Sequence, residues 1–398
     1  MAHSDPQDKG NVRLAHPPGY TPNLIHVILI FSGLLSRVSP SALTPAWLAM
    51  AAIGGWSWGD LRLPAAALSL AFIIADGIGL ALLPRTGRSF GPVTPPLLAL
   101  ALVRTTLTFV VGLLWNVWPG LLLTIGLNFA ILLASIYATW IEPFRIGVTQ
   151  AELRSSKLDG HTPLRLLHIS DLHIEHITAR ERELLRLIKK LSFDLILFTG
   201  DYLTLSSVHD ADVQTEARDL LAQICDAAGP QRPIYAITGS PPVDHPDVIP
   251  RIFEDLPITW LLDAVKETRI NGHAVRLAGL RCTANRHLDG ARLRRLLDGA
   301  SEHTFTLLLY HSPDLMPEAV ELGVDLYLCG HTHGGQIRLP FFGAVFTSSD
   351  FWKRYEMGRY EKSGTTLYVS RGLGLEGLGA PRARFLAPPE IVLWTLSS

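Results

Sequence analysis

Three apolar stretches limit what this chain can fold into. Residues 63–83 (LPAAALSLAFIIADGIGLALL), 97–115 (LLALALVRTTLTFVVGLLW) and 121–140 (LLLTIGLNFAILLASIYATW) each approach or reach the roughly 20 residues a helix needs to cross a bilayer. Residues 24–35 and 43–56 form shorter runs, which either span with polar ends or lie at the interface. Trp56, Trp58, Trp115, Trp118 and Trp140 crowd the segment ends, as an interfacial belt would. Three long runs so closely spaced argue against one large buried helical core. Their repetition argues against a cleaved signal peptide. The expectation is an N-terminal membrane region, residues 1–141, with four or five transmembrane helices.

Loop arginines and lysines orient it. With five spans, Arg37, Arg85, Arg88, Arg145, Arg154 and Lys157 share one side, against Lys9, Arg13 and Arg62. With four, Lys9 and Arg13 join the larger group and Arg62 stands alone. Both counts put everything after Trp140 on the positive, cytoplasmic side, so the expectation is an integral protein of the inner or cell membrane. Cys225, Cys282 and Cys329 lie far apart, without the spacing of a disulfide frame. A formal net charge of −1 gives no basic field for nucleic acid.

Two charges interrupt the apolar runs. Asp76 lies seven residues before Leu83, and Arg104 seven residues after Leu97. In antiparallel neighbours both would sit roughly 10 Å from a shared end, at 1.5 Å per residue. Either they pair, or Arg104 snorkels to the headgroups alone.

After a polar linker, residues 142–163, the pattern changes. Short apolar runs at 164–170, 193–199, 233–238, 304–310 and 325–329 read as strands. Segments 179–191, 211–228 and 317–322 read as helices between them, and 365–370 and 390–396 as closing strands. Such alternation predicts an α/β layered domain over residues 164–398.

Ligand-type residues gather just past these strands. SDLH brings Asp171 and His173, TGD brings Asp201, and His311 follows TFTLLLY. His331 and His333 follow DLYLCG. Alternate positions of an extended segment face the same way, so each closely spaced pair is expected to approach one site together. Two carboxylates and four imidazoles from separate strand ends make a metal site, and mixed O and N donors suit manganese, iron, zinc or similar ions.

SDLH, TGD, YHSP and CGHTHGGQI, in that order, resemble the blocks of the calcineurin-like metallophosphoesterases. HTHGGQIRLPFFG and LYVSRGLGLEGLG resemble the membrane-anchored bacterial branch of that family. The resemblance implies a two-sheet β-sandwich flanked by helices and a two-metal centre. By motif, Asp171, His173, Asp201 and His333 would hold the first ion, and His311 and His331 the second. Asp201 would bridge the pair and so act in catalysis. Manganese is the first choice of metal, with iron, zinc or magnesium as alternatives. Two cations ~3.5–4 Å apart would neutralise the phosphoryl oxygens and share a hydroxide that attacks phosphorus.

One block departs from the pattern. After the third strand the family has Gly-Asn-His-Glu or Gly-Asn-His-Asp, whose Asn ligates the second metal and whose His sits near the leaving group. Here AITGSPPVDH keeps Gly239 but puts Ser240 at the Asn position and Pro241 at the His position. In one reading Ser240 stands in as a weak ligand, completed by water. In another, Asp244 or His245 returns around the Pro241–Pro242 bend, with His245 as general acid or ligand. Alternatively, Asp244 and His245 merely open the next helix, Asp244 near its N-cap. A third reading is an impaired site, in a membrane-anchored binding or regulatory protein.

Arg338 and Arg371 flank the metal motifs and are candidates for bidentate contact with substrate phosphate. A centre tethered at the membrane would meet lipid phosphoesters readily. The branch includes enzymes that cleave UDP-2,3-diacylglucosamine in lipid A synthesis, so a lipid-linked phosphodiester or pyrophosphate is the substrate that the resemblance implies.

Overall fold

The computed structural model describes residues 32–398 apart from Leu378 and Ala380. Lys9, Arg13 and most of the 24–35 run lie outside the described residues. Four apolar helices come first: α1 (Thr44–Trp56), α2 (Arg62–Arg85), α3 (Thr94–Leu114) and α4 (Trp118–Ile136). Proline opens α1, α3 and α4, where its missing N–H leaves no helical bond unmade. Three segments, Gly59–Arg85, Thr94–Leu114 and Trp118–Phe144, are long and apolar enough to cross a membrane. At 13 residues α1 extends only about 20 Å and falls short of the ~30 Å hydrocarbon core. It runs alongside α3. Val38 accepts a bond from Thr94 at one end, and Ser57 and Trp58 donate to the carbonyls of Phe109 and Thr108 at the other.

The protein itself shelters little of these helices. Only 22, 39 and 22 % of the three apolar windows is buried. Leu63, Leu114 and Leu122 stand at 78, 81 and 66 % exposure. A buried helical core would show the reverse. The polar exception is Arg104, which meets Asp76 through two bonds of 2.6 and 2.9 Å and the Asn128 carbonyl and side-chain oxygens at 2.8 and 3.0 Å. Of the two outcomes open from the sequence, the structure shows the pair.

Strand β1 (Gly147–Arg154) follows, inside the segment expected to be a linker. It pairs in parallel with the last strand, residue for residue from Gly147 beside Glu390. Its polar Gln150 and Glu152 hid the alternation by which Val148 joins one core layer and Ala151 and Leu153 another.

The chain then runs β2 (Leu164–Ile169), α5 (Ala179–Lys190), β3 (Leu195–Phe198), α6 (Ala211–Ala228), β4 (Ile234–Ala236), α7 (Ile249–Phe253) and β5 (Thr259–Trp260). Next come β6 (Ala264–Ile270), β7 (His273–Gly279), α8 (Arg286–Leu296), β8 (Phe305–Leu309), α9 (Met316–Glu321) and β9 (Leu326–Cys329). The hairpin β10 (Arg338–Leu339) and β11 (Gly343–Ala344) precedes β12 (Gly358–Lys362), β13 (Thr365–Val369) and β14 (Glu390–Ser397).

Two six-stranded sheets result, ordered β1-β14-β2-β3-β4-β5 and β12-β13-β9-β8-β7-β6. Period-two alternation sorts the side chains. Leu195, Leu197, Leu307, Leu309, Leu326 and Leu328 fill the layer between the sheets. Ile196 and Phe198 face outward under α5, α6 and α7, and Leu308 and Tyr327 face outward under α8 and α9. The mixed α/β domain is thus a two-sheet sandwich with helices outside. The central strands β2, β3, β4, β8 and β9 end along one edge of it.

The helices dock on this domain through hydrogen bonds from backbone amides. Glu142, just after α4, accepts from the amides of Leu386 and Ala387 at 3.0 and 2.6 Å. Glu175 accepts from the Phe90 amide at 3.3 Å and from Arg382 at 2.6 Å. The Arg384 amide donates to Ala138 at 2.8 Å.

Candidate metal centre

The ligand-type residues sit just past the ends of β2, β3, β4, β8 and β9, where the chain leaves each strand abruptly. Asp171, His173, Asp201, His331 and His333 all adopt positive φ, between 39 and 72°. Non-glycine residues rarely hold this conformation, and it tends to persist where surrounding structure enforces it at a site. The pairs therefore do not act by strand alternation, as the sequence suggested. Left-handed turns aim each residue separately.

Two groups form. Asp171, His173 and His333 offer ligand atoms to one point, and Asp201, His311 and His331 to another. The two closely spaced histidines do not share a site: His333 joins the first group and His331 the second. Asp201 lies between them, its Oδ2 3.1 Å from His311 Nε2 and 3.5 Å from His173 Nε2. Glycine permits the closeness. A Cβ on Gly239 would stand 2.2 Å from Asp201 Oδ1, and one on Gly330 would overlap the Asp171 carboxylate.

The donor chemistry fits cations. His311 turns Nδ1 to the Thr199 carbonyl at 2.8 Å, and His173 turns Nδ1 to the Glu376 carboxylate at 2.6 Å. Their Nε2 atoms face other ring nitrogens: His173 Nε2 lies 3.1 Å from His333 Nε2, and His311 Nε2 lies 3.2 Å from His331 Nδ1. Asp171 Oδ2 is buried with no hydrogen-bond partner. Imidazole nitrogens and carboxylate oxygens converging on two buried points form a donor set suited to cations. Each group could hold one divalent ion.

Protonation shows the same crowding. Burial alone would lower His311, but the Asp201 carboxylate beside it lifts it to about 10. Burial likewise opposes the rise of His173, which Glu376 and Asp201 carry to about 9. Burial and the charge on His173 push His333 well below its usual range. Against the upward pull of burial, Asp201 is held low by His311 and His173.

The departing loop follows one of the alternatives open from the sequence. Ser240 stands in the second group, its Oγ 3.1 Å from His311 Nε2, 3.3 Å from Asp201 Oδ2 and 3.4 Å from His331 Nδ1. Asp244, not His245, returns around the two prolines. Its carboxylate accepts from the amides of Asp201, Tyr202 and Gly239 at 2.9, 3.0 and 2.6 Å. Burial, then the charge of Asp201, raises it to about 7. It is not the N-cap of α7, a place taken by Val248. With Asp244 so anchored, His245 lies edge-on to His209 at 5.4 Å and beside Asp247. Among the described residues no hydrogen bond joins His245 to either group, which departs from the expectation that it fills the vacant acid position.

Arg338 and Arg371, read as phosphate-binding candidates, point their guanidiniums at internal carboxylates: Glu356 at 2.8 Å and Glu390 at 2.6 Å. Two other residues touch the group and went unread in the sequence. Glu376 orients His173. Buried Arg384 places Nη2 3.3 Å from His333 Nδ1 and is lowered by burial to about 9. Glu376 had a signal, as the sole acid in the glycine-rich run GLGLEGLG that follows β13. Arg384 had none.

A profile of the Calcineurin-like phosphoesterase family matches residues 164–241. An uncharacterized metallophosphoesterase, YkuE of Bacillus subtilis, is 30 % identical over 270 residues, covering 66 % of this chain and 89 % of the relative. The phosphodiesterase YaeI of Escherichia coli is 27 % identical over 280 residues, covering 65 and 92 %. The UDP-2,3-diacylglucosamine pyrophosphatase LpxG of Chlamydia trachomatis is 26 % identical over 314 residues, covering 65 and 91 %.

Proposed function

The chain belongs to the calcineurin-like metallophosphoesterases, and from that premise we propose that it is a membrane-anchored, two-metal phosphoesterase acting on a lipid-linked pyrophosphate or phosphodiester. The observation that carries this reading is the pair of ligand groups meeting at Asp201. Asp171, His173, His333 and Asp201 would hold one divalent ion, with manganese the first choice. Asp201, His311, His331 and the Ser240 hydroxyl would hold the other. When bound, the ions supply neutralisation of phosphoryl charge and acidification of water. Glu376 and the Thr199 carbonyl keep the Nε2 atoms of His173 and His311 aimed inward, as outer partners of ligand histidines do. Asp244 ties the Ser240 loop to Asp201.

Residues 1–141 would be the membrane region and residues 164–398 the catalytic domain, with β1 joining that domain's sheet. The excess of Arg85, Arg88, Arg145, Arg154 and Lys157 on one side favours a cytoplasmic placement for the domain.

Pro241 stands where the family carries a histidine near the leaving group, and the loop brings no other imidazole there among the described residues. Without that acid, bonds to good leaving groups should break fastest. This favours a pyrophosphate over a dialkyl ester and agrees with the chlamydial relative being a pyrophosphatase. UDP-2,3-diacylglucosamine is the first substrate to try. The test is turnover by full-length, manganese-reconstituted protein of that compound, of an aryl phosphodiester and of a dialkyl phosphodiester. We expect the first two to exceed the third by at least ~10-fold, the low end of a positioned acid's contribution. A protein that binds both ions and turns over none of the three would instead be a binding or regulatory protein.

A further inference from the structure

An apolar slot lies where the helices meet the α/β domain. Its volume is about 260 Å3, and Gly79, Ala99, Val103 and Leu132 line it beside Ile337 and Ala383 of the domain. It runs along the helices as far as Asp76 and Val103, each nine residues from the domain-side end of its helix, or about 14 Å at 1.5 Å per residue. Its lining is apolar apart from Asp76, Ser135 and Thr139, which suits a hydrocarbon chain. Arg104 already closes the Asp76 carboxylate at the inner end, so nothing there asks for a polar ligand.

The mouth adjoins the metal centre. Ile337 follows Gln336, which exchanges hydrogen bonds with Glu376, the partner of His173. Ala383 precedes Arg384, which touches His333. Beyond Ile337 the chain enters the β10–β11 hairpin, where Leu339, Phe341 and Phe342 are 49, 111 and 57 % exposed. The hairpin thus presents apolar side chains at the surface, close along the chain to Ile337 of the slot.

We propose that this slot holds one acyl or alkyl chain of the phospholipid-type molecule whose phosphate the neighbouring centre binds. The inference rests on the phosphoesterase reading for the fate of the phosphate, but the chain site can be tested apart from it. Gly79 offers the means, because a Cβ placed there meets nothing within 4 Å and a leucine would fill the slot without touching the backbone. Ala99→Leu, on the facing helix, is a second blocking change.

The first experiment uses chelated, full-length protein in vesicles containing phosphatidylglycerol with a mid-chain diazirine, so that no hydrolysis intervenes. After illumination, labelled peptides are mapped. The expected result is label on Ala99, Leu100 and Leu132, falling at least ~5-fold in either blocked variant, while label on outward Leu102 and Leu122 persists. Label confined to Leu102 and Leu122, or slot label that survives both variants, overturns the proposal. The second experiment compares the KM of hexadecyl and methyl 4-nitrophenyl phosphate on the metal-loaded protein. The hexadecyl ester should have the lower KM by at least ~10-fold, and Gly79→Leu should narrow that ratio. An unchanged ratio counts against the slot. If neither ester is turned over, the phosphoesterase reading fails while the labelling result still decides the slot.

Discussion

Two buried polar clusters in this protein look alike by composition and differ in completeness. In the helices, Arg104 meets Asp76 and Asn128, and each charge has its opposite within 3 Å. At the sandwich edge, three carboxylate or hydroxyl groups and four imidazoles crowd around two points, and Asp171 Oδ2 has no hydrogen-bond partner. Both lie out of water, where an unmatched charge is expensive. The first cluster balances itself and so explains its own presence as a helix-to-helix tie. The second converges its ligand atoms on two points, as a cation site does. Completeness, more than burial or charge, separates a structural polar core from a site.

The largest expected effect tests the incomplete cluster. Asp201→Asn removes the one charge shared by both groups. Hydrolysis should fall about a thousandfold or more, with loss of bound metal by elemental analysis. A metal-replete variant with normal turnover would erase the distinction drawn above. Arg104→Met tests the complete cluster. Stranding Asp76 should cost about 3–5 kcal/mol, read as a lower unfolding temperature in detergent. Adding Asp76→Leu should restore most of that loss. Turnover per folded molecule and metal content should stay within about twofold of the parent, since the tie is structural.

Proton linkage gives a smaller effect with a definite sign. His311 at about 10 and His173 at about 9 lie above the ordinary 6.5. Their charged forms stabilise the metal-free fold fully below about pH 6.5, and that stabilisation is lost as pH rises through 9 and 10. Metal-free protein should therefore melt at falling temperature between pH 7 and 10. Metal must displace the same protons, so its affinity should rise over that range and the loaded protein should not share the decline. Equal pH slopes with and without metal would contradict the assignment. The smallest expected effect is that of His245→Ala, at most about a twofold change in kcat, because its ring rests on His209 outside both groups. A tenfold fall would mean that the loop rearranges to bring His245 in when substrate binds.

Much of the architecture was legible because burial imposes a period. The strands from β2 to β4 and from β8 to β9 carry mostly apolar runs, and α5 and α6 carry helical spacing. Where the sequence was read wrongly, the signal was diluted or local. β1 mixes Gln150 and Glu152 into its alternation. The β6–β7 hairpin went unread although Asn271-Gly272 marks its turn, with both residues at positive φ. Pairing of Asp76 with Arg104 was one of two outcomes, and helix register decided it.

The linear chain determined what kinds of atom this protein can bring to bear: apolar runs long enough for a bilayer, and Asp and His placed after strands in a recurring order. Those follow from composition and from periods of 2 and 3.6, which are local properties. Family motifs, not strand alternation, put His331 and His333 in different groups, because five residues leave their strands through left-handed turns enforced by distant neighbours. The linear chain could not settle that Asp244 rather than His245 returns to Asp201, since the three amides that bind Asp244 come from two different loops. Nor could it show the slot beside the centre, whose walls come from three helices and two segments more than 200 residues further along the chain. Such features exist only after long-range packing has brought remote backbone together, and no local period encodes them.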